Sequence, residues 1–226
     1  MTYQSPLAIT ISRQFGSGGA LLGKQLSKNM KMLYFDREIF NNATEELGLL
    51  TGNLEWRDEK ITSKWQTLIN TLAYAGAAPY SLSELMMPTD KEVFKAESKI
   101  ILDAANEKST IFVGRCSSHV LQCHPRHISV FLHADMESCV QRVQELYSIS
   151  ANEAVKVIQS VNKSRARYIQ TFTGLDMNDV RQYHLSIDTG VLGLKQTEKV
   201  ICDYVSTRFG DVDFAHVEEQ NKTKQG

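Results

Sequence analysis

The most constraining stretch lies near the start of the chain. Leu7-Ala8-Ile9-Thr10-Ile11 is a short, apolar, β-branched run that reads as a buried strand. It passes directly into Ser12-Arg13-Gln14-Phe15-Gly16-Ser17-Gly18-Gly19, and then into a helical pattern over 20–26 with Leu22 and Leu26 on one side. Three glycines within four positions open φ angles closed to other residues and let an anion approach the backbone. Successive N–H groups and the N-terminus of the following helix would then cradle phosphate. A plain tight turn between strand and helix would use the same glycines, so the loop alone leaves both readings open.

The loop departs from the Walker A pattern G-x-x-x-x-G-K-[ST]. With Gly18 as the second glycine, Arg13 falls at the first glycine position, Gly19 replaces the lysine and Ala20 replaces the hydroxyl residue. The backbone cradle survives, while the ammonium and the magnesium-binding hydroxyl do not. A guanidinium at Arg13 could supply the missing charge as a bidentate phosphate clamp. The bland alternative for Arg13 is a solvated surface arginine. Lys24, five residues into the helix, should project away from the turn.

Beyond the loop, strand and helix patterns alternate. Leu33–Phe35, Thr110–Val113, Ile128–Leu132 and Leu185–Asp188 read as strands. Helical patterns cover 38–50, 91–107, the residues from 114 to about 123, 136–147 and 196–209. Asp135 is placed to cap the helix through Tyr147. Ser150-Ala151-Asn152-Glu153 has capping-box spacing and starts a helix through about Tyr168. The alternation predicts parallel strands with helical crossovers, a three-layer α/β fold. Ligands in such sheets bind outside the carboxyl ends of the strands. Three segments fall there: the glycine loop, Asp36-Arg37 and Gly114-Arg115.

The chain has 226 residues, which suits one domain spanning about 1–210 with a smaller insertion. Residues 51–90 differ in character and read as a helical insertion, and 211–226 as a polar tail. The formal net charge of −1 argues against a nucleic-acid-coating or polybasic membrane protein. No apolar run approaches the roughly 20 residues of a membrane span. Met1–Pro6 lacks a basic signal-peptide region, so the expected location is the cytoplasm. Cys116, His119, Cys123 and His124 recur at helical spacing, but one helix cannot wrap four ligands around an ion. No residue is therefore named as a metal ligand.

Several stretches together resemble the cytidylate kinase-like family, a divergent branch of the nucleoside monophosphate kinases with the P-loop kinase fold. They are Ile9–Gly19, Tyr34-Phe-Asp-Arg-Glu-Ile39, Val113-Gly-Arg115, Asn162-Lys-Ser-Arg-Ala-Arg-Tyr168, Phe172-Thr-Gly174 and Ser186-Ile-Asp-Thr189. The resemblance implies ATP as phosphoryl donor and a nucleoside monophosphate as acceptor, CMP or dCMP first. It implies a phosphate cradle of Gly16, Ser17, Gly18 and Gly19 with Arg13. Segment 150–180 would form a lid carrying Lys163, Arg165 and Arg167, and residues 51–90 an acceptor-side insertion. Lys163 and Arg167, four apart, share a helix face, whereas Arg165 points roughly 160° away. Arg13, Lys163 and Arg167 are the candidate catalytic cations. Asp36, Arg37 and Arg115 would contact the acceptor, although Asp36 would equally suit an N-cap and Arg115 a carboxylate partner. Mg2+ would be held mainly by nucleotide phosphates, since Asn162 and Cys116 stand where the family has aspartates. The expected partners are nucleotides, with no nucleic acid or membrane. Trp56, Trp65 and Met86-Met87 are candidates for a homodimer surface. A rival from another class is a nucleotide- or anion-binding regulatory protein with the kinase fold and little or no catalysis. A redox or metal protein using Cys116 and Cys123 is a weaker third.

Overall fold

The structure, a computed structural model, describes residues 5–36 and 90–210. It divides into two compact units, Met1–Asp36 with Ile100–Gly226, and Arg37–Lys99. The expected helix at 38–50, the insertion at 51–90 apart from Asp90, and the tail at 211–226 lie outside the described residues.

In the first unit, five parallel strands form one sheet in the order β2-β3-β1-β4-β5. They are β1 (Ala8–Arg13), β2 (Leu33–Phe35), β3 (Thr110–Val113), β4 (His127–His133) and β5 (Leu185–Asp188). β1 sits at the centre, hydrogen-bonded to β3 on one side and β4 on the other. Its residues Ala8–Ser12 are buried on both faces, as a central parallel strand requires. Ile9 and Ile11 join Ile111, Val113, Val130 and Leu132 in the main core. Against that face pack Leu22 and Leu26 of α1 (Gly19–Asn29), and Ile201 and Val205 of α6 (Thr189–Phe209). The opposite face buries Thr10, Phe112 and Phe131.

α1 and α6 are also tied by a polar bridge. Glu198 is buried, and its carboxylate accepts from Gln25 Nε2 and Asn29 Nδ2, each at 2.6 Å. A buried carboxylate is tolerated when donors on a neighbouring element replace its lost water.

The remaining helices are α2 (Asp90–Glu107), α3 (Ser117–Val120), α4 (Met136–Tyr147) and α5 (Ala151–Thr173). Both anticipated caps are present. Asp135 accepts from the Ser138 amide at 2.8 Å. Ser150 and Glu153 form a full capping box at the start of α5. Two expectations are corrected. The helix after β3 is one turn, not a run to Cys123: Arg115 and Cys116 take left-handed φ angles of 56° and 53° and delay its start to Ser117, and the chain leaves the helix at Leu121. The last helix begins at Thr189 rather than 196, with a break at Gly193 where φ is 69°.

Candidate active site

The glycine loop fills the turn between β1 and α1. Gly16 and Gly18 have φ of 88° and 82°, a region costly to residues with a Cβ. Gly18 is the N-cap of α1 and Gly19 its first residue, so the helix's free amides open onto the loop. The Ser17 side chain is buried, and its hydroxyl donates to Gln14 O at 2.9 Å. Thr189, at the start of α6, donates its hydroxyl to Ser17 O at 2.8 Å.

Three further side chains hold the loop from α4 and α5. Arg142 Nη1 donates to Gly16 O. Asn162 Oδ1 accepts from the Phe15 amide at 2.7 Å, and Arg165 Nη1 donates to Arg13 O at 3.1 Å. The Arg165 guanidinium also stands 5.4 Å from the Phe15 ring centroid. The Phe15 ring packs against the small core formed by Cys139, Val143, Ala154 and Ile158. Burial there pushes the Cys139 thiol above its usual pKa, which keeps it protonated beside the loop. Sequence reasoning missed Arg142 and the role of Asn162. The only signal was that Asn162 breaks the family pattern just before Lys163.

The expected site residues separate into groups. Lys163 and Arg167 are exposed on α5, while Arg165 faces the loop. Arg115 follows β3 with its guanidinium carbon 5.8 Å from the Tyr168 ring centroid, a cation–π contact with α5. Register pairs Ile11 with Val113, so Ser12-Arg13, still paired with β4, lie alongside Gly114-Arg115 as the latter leave the sheet. Asp36 ends β2's excursion and accepts the Tyr34 hydroxyl at 2.9 Å. Arg37 lies outside the described residues. Lys24 turns away from the loop, its Nζ 5.9 Å from the Tyr34 ring centroid.

The loop suits an anion but offers magnesium no side-chain ligand. The Ser17 hydroxyl points inward to Gln14 O, and Ala20 has no oxygen to give. Among the described residues, no group of three or more His, Cys, Asp or Glu side chains could hold a metal ion. No helix of the described residues is long and apolar enough to cross a membrane.

Residues 8–191 match the sequence profile of the cytidylate kinase-like family. The chain belongs to that family. Among similar sequences of this family's kind is the cytidylate kinase of Sulfurisphaera tokodaii, 24% identical over 201 residues, which span 88% of this chain and 96% of the relative. Another is the cytidylate kinase of Pyrococcus abyssi, 27% identical over 186 residues, 81% of this chain and 84% of the relative. Among solved structures, an uncharacterized protein from Eubacterium ventriosum superposes with a TM-score of 0.67 at 21% identity. It covers 89% of this chain and 99% of its own. That likeness supports the three-layer α/β fold that the strand order displays.

Proposed function

We propose that this member of the cytidylate kinase-like family is a phosphotransferase acting on nucleotides. In this reading it moves the γ-phosphoryl group of ATP to a nucleoside monophosphate, with CMP and dCMP the first acceptors to try. An oxygen of the acceptor's phosphate attacks the γ-phosphorus, the β–γ bridging bond breaks, and ADP leaves as a nucleoside diphosphate forms. The observation that carries the proposal is the loop: two left-handed glycines and an open helix N-terminus at the end of the central strand.

Phosphoryl transfer depends on holding two phosphate groups in line and balancing their charge. The loop amides take the donor. Arg13 and Arg115, leaving adjacent strands, supply cations between donor and acceptor. Lys163 and Arg167, exposed on α5, would add charge to the triphosphate through their long side chains. Mg2+ fits here only as an ion carried by the nucleotide, since the loop side chains present no ligand for it, and no step is assigned to it.

A second reading, binding without transfer, is favoured by the same missing hydroxyl and by the absence of an acidic residue at the end of β3. One experiment separates the two. ADP release is followed in a coupled assay with ATP, Mg2+ and each common nucleoside monophosphate in turn. Release that requires the monophosphate supports transfer. Nucleotide binding with no release under any acceptor overturns it.

A further inference from the structure

Arg13 and any side chain at position 19 compete for one space. The Arg13 side chain leaves β1 and runs over the first residue of α1. A Cβ placed on Gly19 would stand 3.1 Å from Arg13 Cβ, 2.9 Å from Cγ and 3.4 Å from Cδ. Farther out, a Cβ on Gly114 would run into Arg13 Nη1, with Cζ at 3.1 Å and Nη2 at 3.3 Å. The arginine thus lies along a track that two glycines leave open, from the loop to the turn after β3. At Gly19 the close atoms are the near end of the side chain. They cannot swing clear by rotating terminal torsions: Cβ is fixed by the backbone, and Cγ and Cδ move only with the first torsions of Arg13.

Position 19 is where a Walker lysine would stand. We propose that this chain has moved the loop's phosphate-facing cation from position 19 to Arg13, with Gly19 and Gly114 as positioning residues that keep its track open. The move changes more than the residue type. A lysine at 19 would rise from the helix end behind the donor phosphates. The Arg13 guanidinium instead ends over Gly114, at the turn after β3 that leads to the proposed acceptor contact Arg115. Its planar fork can meet two phosphate oxygens at once, and its charge is fixed at every working pH. The kinetic consequences rest on the phosphotransferase reading, while the binding consequences do not.

Gly19→Ala is the sharpest variant. Gly19 is helical with no positive φ and alanine is the better helix residue, so the one obstacle a Cβ meets there is the Arg13 side chain. The expected result is a fall in kcat of about 10²-fold with the fold retained, matching Arg13→Ala. The double variant Arg13→Ala/Gly19→Ala should be no worse than Arg13→Ala alone, since both act through one group. Arg13→Ala/Gly19→Lys, which removes Arg13 from Cγ outward and restores the lysine, should regain at least about tenfold over Arg13→Ala. Affinity for inorganic tripolyphosphate, measured by calorimetry on the same proteins, should fall with Arg13→Ala and return with the lysine. Normal turnover and affinity in Gly19→Ala, multiplying losses in the double alanine, or no recovery with lysine would each overturn the proposal. If the unmodified chain transfers nothing, the function reading falls and the tripolyphosphate series alone decides this one. If the unmodified chain and Arg13→Ala both turn over equally, only this inference falls. Failure of the unmodified chain to bind tripolyphosphate overturns both.

Discussion

Lowering the pH from 7.5 to 5.0 should destabilise this protein well before its carboxylates protonate, and His127 is the main reason. His127 opens β4 and is buried, with Nε2 2.8 Å from the Thr10 hydroxyl. Burial lowers its pKa from 6.5 to about 3, helped by the positive or protonatable neighbours His184, His124 and Arg208. The sign follows from the lowered value. The unfolded chain takes up a proton near pH 6.5 and the folded chain does not, so stability is full above pH 6.5 and is lost as pH falls towards 3. At pH 5.0 the loss spans about a pH unit and a half at roughly 1.4 kcal/mol per unit, so about 2 kcal/mol. For a chain of this size that lowers the melting temperature by about 4–8 °C. His184 adds to the same trend. Its Nδ1 accepts the Ser129 amide at 2.9 Å, which protonation there would forbid, and burial and Arg208 lower its pKa. Asp135, Glu153 and Asp179 have lowered pKa values and enter only at more acid pH. The assay is urea unfolding followed by circular dichroism at half-unit steps from pH 7.5 to 5.0, repeated with His127→Gln. Glutamine keeps a hydrogen-bonding group near Thr10 and does not titrate. A flat profile in the native protein, or a full slope surviving in the variant, would refute the reasoning.

Other substitutions test the site and its supports. Asn162→Ala strips the Phe15 amide of its acceptor and should cost about 1–3 kcal/mol, while Asn162→Asp keeps an acceptor and should lose far less, read by thermal melts. Ser150→Ala removes half of the capping box and should cost about 1 kcal/mol in urea unfolding, with kcat unchanged. Arg167→Ala should lower turnover by on the order of 10²-fold while acceptor affinity, measured by calorimetry, stays within about twofold.

Much of the fold was legible because its signals are local. The apolar runs at Leu7–Ile11 and Thr110–Val113, the Asp135 cap and the Ser150–Glu153 box each fall within a few residues, and each became the expected element. The loop's phosphate-like layout was legible for the same reason. What was not legible depends on residues far apart in the chain. Nothing near Phe15 announces that Asn162, 147 positions away, will take its amide, or that Arg142 will cross to Gly16 O. Gly114 reads as a strand end in sequence; in the fold its φ of 85° favours glycine, and a Cβ there would also meet the Arg13 guanidinium. The short α3 was misread at both ends, since neither the left-handed angles of Arg115 and Cys116 before it nor the turn from Leu121 after it leaves a mark in hydrophobic spacing.

The two bonds from α5 to the loop act as a fulcrum. Ahead of them the helix is seated by Ala154 and Ile158, and beyond Arg165 residues 166–173 continue for about 12 Å, with the Tyr168 ring against the Arg115 guanidinium. Arg167 stands about 3 Å past the fulcrum along the axis. A tilt of about 20° would carry its Cα only about 1 Å, while the helix tip would travel about 4 Å. Lys163 lies between the two pins and barely moves at all. The charges that α5 offers therefore keep a nearly fixed spacing from the loop whether or not its end swings. If α5 serves as the lid proposed for it, it would work like a door hung close to its handle: the far edge would sweep, while Lys163 and Arg167 stay in register with the loop.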